Sequence, residues 1–119
     1  MKLFKAAFAA AGIFVSATAF GGDSDFTLLN RTGLTIAEVY VSAANKAQWG
    51  RDRLGDGTIE NGKSRHFKLG ETAECKQDVK VTFENADGEA VWKNLDLCSI
   101  EKLTLHYNRQ TKEVMAEAE

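Results

Sequence analysis

The chain reads as an all-β domain: a small antiparallel β-sandwich, or a barrel-like relative of one, of about six to eight strands with one disulfide. Three observations predict it. Short segments rich in β-branched and aromatic residues recur along the chain, with Gly, Asn and Asp between them. The sharpest is "QDVKVTFEN" at residues 77–85, which sets Val79, Val81 and Phe83 against Asp78, Lys80, Thr82 and Glu84. That is the period of a strand with one dry face and one wet face. Two cysteines, Cys75 and Cys98, bracket this segment and the one it turns back into.

The elements follow in order. Residues 26–30, "FTLLN", make a short strand, and Asn30-Arg31-Thr32-Gly33 supplies a turn in which Gly33 can take a positive φ. Asn30-Arg31-Thr32 also matches a glycosylation sequon, which has meaning only in a eukaryotic secretory route. In "LTIAEVYVS", residues 34–42, strict alternation puts Ala37, Val39 and Val41 on one face and Ile36 and Tyr40 on the other. Such a strand is covered on both sides. Residues 43–50 suit one helical turn, with Ser42 or Asn45 as its cap. Residues 63–69 alternate Arg65, Phe67 and Leu69 against Ser64, His66 and Lys68. Asp87-Gly88 closes a hairpin into residues 89–93, which carry Val91 and Trp92. Residues 102–108 alternate Leu103, Leu105 and Tyr107 against Thr104 and His106, and residues 111–115 pair back through a turn at Asn108-Arg109. Residues 116–119 are expected to fray.

The first nineteen residues read as a secretory signal rather than as part of the fold. Lys2 and Lys5 precede an apolar run over residues 6–15, and Ala17-Thr18-Ala19 has the small-x-small pattern of a cleavage site. Cleavage is expected after Ala19, with Gly21 as the alternative, and the apolar run is shorter than the roughly 20 residues a membrane span needs. Residues 20–119 then form a single domain, with no membrane insertion after processing. Loss of Lys2 and Lys5 leaves 13 basic residues against 17 acidic, a net charge of −4. An acidic domain of this kind lacks the basic footprint of a nucleic-acid binder. A monomer in the periplasm or outside the cell is expected. In that oxidising compartment Cys75 and Cys98 pair by default, and closing such a loop contributes about 3 kcal/mol.

One stretch does not read as simple scaffold. "WGRDRLGDG", residues 49–57, packs Trp49, Arg51, Asp52, Arg53 and Asp56 among three glycines. Counted as a calcium loop from Asp52, it has Asp56 at the fifth position and Gly57 at the sixth, but Leu54 at the third and Lys63 at the twelfth. Ligands are required at both of the latter places, so this is no EF-hand. An irregular oxygen shell from Asp52, Asp56 and Glu60 is the residual metal reading, with Arg51 and Arg53 competing for the same carboxylates. As a packed closure, the loop would plug the sandwich with Trp49 and Leu54 and pair its arginines with its aspartates. As a binding loop, Trp49, Arg51, Asp52, Arg53 and Asp56 suit a protein or a small polar ligand. No serine lies in a G-x-S-x-G elbow, both cysteines are expected to be oxidised, and no catalytic residue or cofactor site is assigned.

Taken together, "FTLLNRTGLTIAEVYVS", "WGRDRLGDGTIENGKS", "CKQDVKVTFENADG" and "NLDLC" resemble a group of small secreted bacterial proteins that often carry the label argininosuccinate lyase. The resemblance spans residues 26–107 and implies a compact periplasmic or secreted β domain. Argininosuccinate lyase itself is a large helical tetramer with a site assembled from several subunits, which a β chain of this size cannot build. The expected function is therefore a non-catalytic binding or structural module, with inhibition of a secreted hydrolase, a lysozyme or protease, as the alternative.

Overall fold

The computed structural model describes residues 2–6, 10–11, 24–46, 48–69 and 73–119. The expected cleavage site, residues 17–21, lies outside them, as does part of the expected helical turn.

Seven strands from Phe26 onward form two stacked sheets, a sandwich rather than a closed barrel. With two short N-terminal strands, β1 (Lys2–Ala6) and β2 (Ala10–Ala11), they are β3 (Phe26–Arg31), β4 (Ile36–Ala43), β5 (Ser64–Phe67), β6 (Lys76–Phe83), β7 (Glu89–Asp96), β8 (Lys102–Asn108) and β9 (Glu113–Ala118). One sheet runs β1-β9-β8-β3-β5, and the other runs β2-β7-β6-β4. Pairing is mostly antiparallel. Among the strands of the domain the exception is β3 with β8, which run parallel from Thr27↔Lys102 to Arg31↔His106. At the N-terminus, β1 lies antiparallel along β9, and β2 lies parallel beside Val91 and Trp92 of β7.

The core is what alternation dictates. Phe26, Leu28, Leu103, Leu105, Val114 and Ala116 face in from one sheet, and Val39, Val79, Val81, Ala90 and Trp92 from the other. Phe26 stacks on Phe67 at 5.5 Å, which anchors β5 to the sheet edge. The disulfide Cys75–Cys98 has formed, with Cα atoms 5.0 Å apart. It ties the start of β6 to the 3-10 turn (Leu97–Ser99) after β7, and the Leu97 N–H donates to the Cys75 carbonyl at 2.9 Å beside it.

Four expectations are corrected. A bulge between Ile36 and Glu38 shifts the phase of β4, so Ile36 joins Val39 and Val41 in the core instead of facing away from them. A second bulge, between Gln77 and Val79, buries Asp78 to 5 % exposure. Its Oδ1 accepts from the Asn94 N–H at 2.8 Å and its Oδ2 meets Lys93 at 3.6 Å, so the outer face of β6 is not simply wet. Residues 44–46 form a turn rather than a helix, with the Ala44 N–H donating to the Lys76 carbonyl at 3.0 Å. β9 runs to Ala118 without fraying: Ala116 and Ala118 are buried, and Glu119 exchanges backbone hydrogen bonds with Lys102.

The sequon asparagine is also spent. Asn30 is fully buried, its Nδ2 donates to the carbonyls of Leu34 and Ile59, and its Oδ1 accepts from the N–H and hydroxyl of Thr32. It is the pin that joins the β3–β4 turn to the long loop leading into β5.

Candidate functional site

The loop of residues 49–57 lies along the free edge of β4. A strand edge presents unpaired backbone groups, and the loop satisfies them one residue at a time. The Val39 N–H donates to Asp52 Oδ1 at 2.9 Å, and the Arg53 N–H donates to the Val39 carbonyl at 2.7 Å. Further on, Ile36 and Ile59 exchange both backbone hydrogen bonds, at 2.9 and 3.0 Å. Asp52 Oδ1 also accepts from the Leu54 N–H at 3.0 Å, the Asx turn that sends Leu54 inward to 4 % exposure. Gly50 and Gly55 sit at φ 74° and 59°, which lets the chain reverse twice within this length.

Asp52 is therefore a docking residue of the fold, and Leu54 is the plug. Trp49 does not enter the core. It is half-buried over the outer face of the β4-β6-β7 sheet, with Lys80 Nζ 5.0 Å and Lys93 Nζ 5.6 Å from the ring centroid. Both lysines are themselves held, Lys80 by Glu89 at 3.7 Å and Lys93 by Asp78 at 3.6 Å. Lys80 also lies 4.6 Å over the Tyr40 ring. The phenol of Tyr40 is pushed above its ordinary 10.0, first by burial, then by its hydrogen bond to the Glu38 carboxylate, and then by the charges of Glu38, Asp52 and Glu89.

With Asp52 turned onto the backbone and Trp49 laid across the sheet, the two arginines project free. Arg51 and Arg53 are exposed and make no ion pair with any carboxylate among the described residues; the expected Arg–Asp pairs of the loop have not formed. They line an open hollow of about 520 Å³ together with Lys46, Trp49, Glu74 and Gln77. They also line a second hollow, of about 340 Å³, on the side of Arg65, His66 and Lys68. A small third hollow of about 140 Å³ lies between Trp49 and Lys93. Sequence reasoning missed Lys46, Arg65 and Lys68, because each belongs to a different segment and only the fold brings them beside the loop.

Asp56 and Glu60 are exposed. Among the described residues, the only group of three or more acidic, histidine or cysteine ligands whose atoms converge is Cys75, Asp96 and Cys98. Both sulfurs there belong to the disulfide, so neither offers a thiolate. The residual metal set of Asp52, Asp56 and Glu60 makes no such convergence. The histidines are apart: His66 on β5 meets the Thr27 hydroxyl at 2.9 Å, and His106 on β8 meets Glu117 at 2.7 Å.

Comparison of the chain with protein-family models, with curated proteins and with solved structures finds no match.

Proposed function

We propose that this chain is a non-catalytic binding module of the periplasm or cell exterior, its ligand seated in the hollow between Trp49, Arg51 and Arg53. The observation that carries this reading is the pair of guanidiniums, without an ion pair among the described residues, beside a half-exposed indole on a loop that is itself pinned to the sheet. A ligand meeting preorganised groups loses less of its binding energy to ordering them. The non-catalytic reading is supported by where four of the candidate nucleophiles are spent. Ser42 and Ser99 donate to backbone carbonyls, and both cysteines are oxidised. The formed disulfide is compatible with an oxidising compartment. We take residues 1–19 as the export signal, so the exported protein should begin at Phe20 by mass and N-terminal sequencing.

The chain carries its own reporter for the binding test. Of its two tryptophans, Trp92 is 1 % exposed in the core and Trp49 lines the hollow. A ligand in the site should therefore change the fluorescence of Trp49 alone. Screening of oligosaccharides and short peptides should yield ligands whose signal disappears in Trp49→Phe and whose affinity falls in Arg51→Gln. Ligands that bind both folded variants as tightly as the parent chain would place the site elsewhere and end this reading.

A further inference from the structure

We infer that the ligand is an acidic polysaccharide, a chain of sugars bearing repeated anionic groups, bound across both hollows rather than in one. The inference rests on the binding-module reading above and names its ligand class. The two hollows are not separate sites, because Arg51 and Arg53 line both. Read across them, Lys46, Arg51, Arg53, Arg65 and Lys68 form a strip of five cations drawn from three segments of the chain. None of the five is ion-paired with a carboxylate among the described residues.

Two acids also line the hollows, and neither makes an ion pair with any of the five cations. Asp52 turns Oδ1 to two backbone N–H groups, and Glu74 Oε1 is 3.4 Å from Asn45 Nδ2. Four other lysines meet acids, Lys76 with Asp96, Lys80 with Glu89, Lys93 with Asp78 and Lys102 with Glu119, while Arg31, Lys63, Arg109 and Lys112 also lack an ion pair among the described residues but line none of these hollows. What sets the strip apart is that its five cations are gathered along two joined hollows, although the domain from Phe20 carries a net charge of −4. Screening confines each field to about 10 Å at ordinary ionic strength, so a strip of like charges acts locally whatever the net charge.

A single small anion would satisfy one or two of these groups and leave the others repelling each other. A linear polyanion satisfies all of them in turn. Guanidinium forks suit carboxylate or sulfate oxygens. Trp49 at one end of the strip offers a flat ring of the kind that takes the face of a pyranose. That favours a sugar polymer over an acidic peptide, for which the indole has no necessary role.

The test uses the chain from Phe20 with its disulfide intact, titrated with oligogalacturonides of increasing length, neutral dextran and polyglutamate, at several salt concentrations. Affinity should rise with oligogalacturonide length until both hollows are spanned, fall with salt, and exceed that for dextran. Arg53→Gln and Arg65→Gln should each weaken it about ten-fold, whereas Lys112→Gln, which removes the same charge but lines neither hollow, should leave it unchanged. Trp49→Phe retains a ring and should keep most of the affinity, while Trp49→Ala should not. Equal binding of polyglutamate, indifferent to Trp49, would overturn the saccharide assignment in favour of an acidic peptide. Binding of neutral sugars or peptides at Trp49 with no response to the polyanions would overturn this inference and leave the binding module standing. Silence from every probe would remove both.

Discussion

Asp52 decides how the long loop is understood. It belongs to the set expected to touch a ligand, yet its Oδ1 accepts from the N–H groups of Val39 and Leu54. Replacing it by alanine orphans two partly buried donors, each worth about 1–3 kcal/mol when left unpaired. Asp52→Ala should therefore lower the urea midpoint markedly, while Asp52→Asn, which keeps an acceptor in place, should recover most of the loss. Asn30 makes the same argument in the core. Asn30→Asp would set a charge against the carbonyls of Leu34 and Ile59 and should be worse than Asn30→Ala. Tyr40 carries a pH dependence whose sign can be worked out. Its folded pKa is raised above 10.0, so its contribution to stability is full below that pH and is lost as the pH climbs through the higher folded value. Alkaline unfolding should be delayed in Tyr40→Phe, and absorbance at the phenolate band should show Tyr40 titrating late. The Asx turn was legible in principle, since an aspartate in a glycine-rich loop readily bonds the N–H two residues on. What composition could not show was that Val39, thirteen residues earlier, would use the same oxygen.

At the level of strands, the alternating segments were legible almost to the residue: β6 and β8 fall where Val79-Val81-Phe83 and Leu103-Leu105 place them. The errors in facing, on β4 and β6, have one cause. A bulge inserts a residue into the count, and nothing in the side-chain pattern of "LTIAEVYVS" announces that Ile36 and Val39 will share a face. β9 was underrated for a related reason: "VMAEA" has period two, but alanine is a poor strand former and hides it. The strip of cations was illegible altogether, because it comes from residues 46, 51–53 and 65–68 and depends on how the loop packs. Two predictions belong to this scale. Leu54→Ala removes the plug and should cost about 2–5 kcal/mol. Reduction of Cys75–Cys98 should cost about 3 kcal/mol, read as a fall in Tm of several degrees for each kcal/mol in a domain of this size.

The whole molecule divides into two flanks. β1 and β2 are only three residues apart in sequence, and they lie on β9 and β7, so those edges share one flank; β5 and β4 end the sheets on the other. If export removes residues 1–19, the outer edges of β9 and β7 lose these neighbours. Backbone amides on the outer edge of β9 should then exchange faster in the processed chain than in the precursor, and hydrogen exchange followed by mass spectrometry would show it. Unchanged protection of residues 113–118 would mean that another segment takes the leader's place.

The pinning of the loop to β4 has a consequence for assembly. A sheet protein that can extend from both ends can polymerise without limit, whereas one that extends from a single end closes on itself as a pair. On the loop flank, β4 is already covered by Asp52, Arg53 and Ile59, and β5 is four residues long with Arg65 exposed on it. Short, charged or covered edges of this kind do not recruit another strand. With residues 1–19 removed, only the flank of β7 and β9 can grow. Concentrated processed protein should accordingly show, by light scattering, nothing larger than a dimer. Asp52→Ala keeps the Arg53 and Ile59 backbone bonds to β4, so it should weaken the fold without opening this edge to fibre growth.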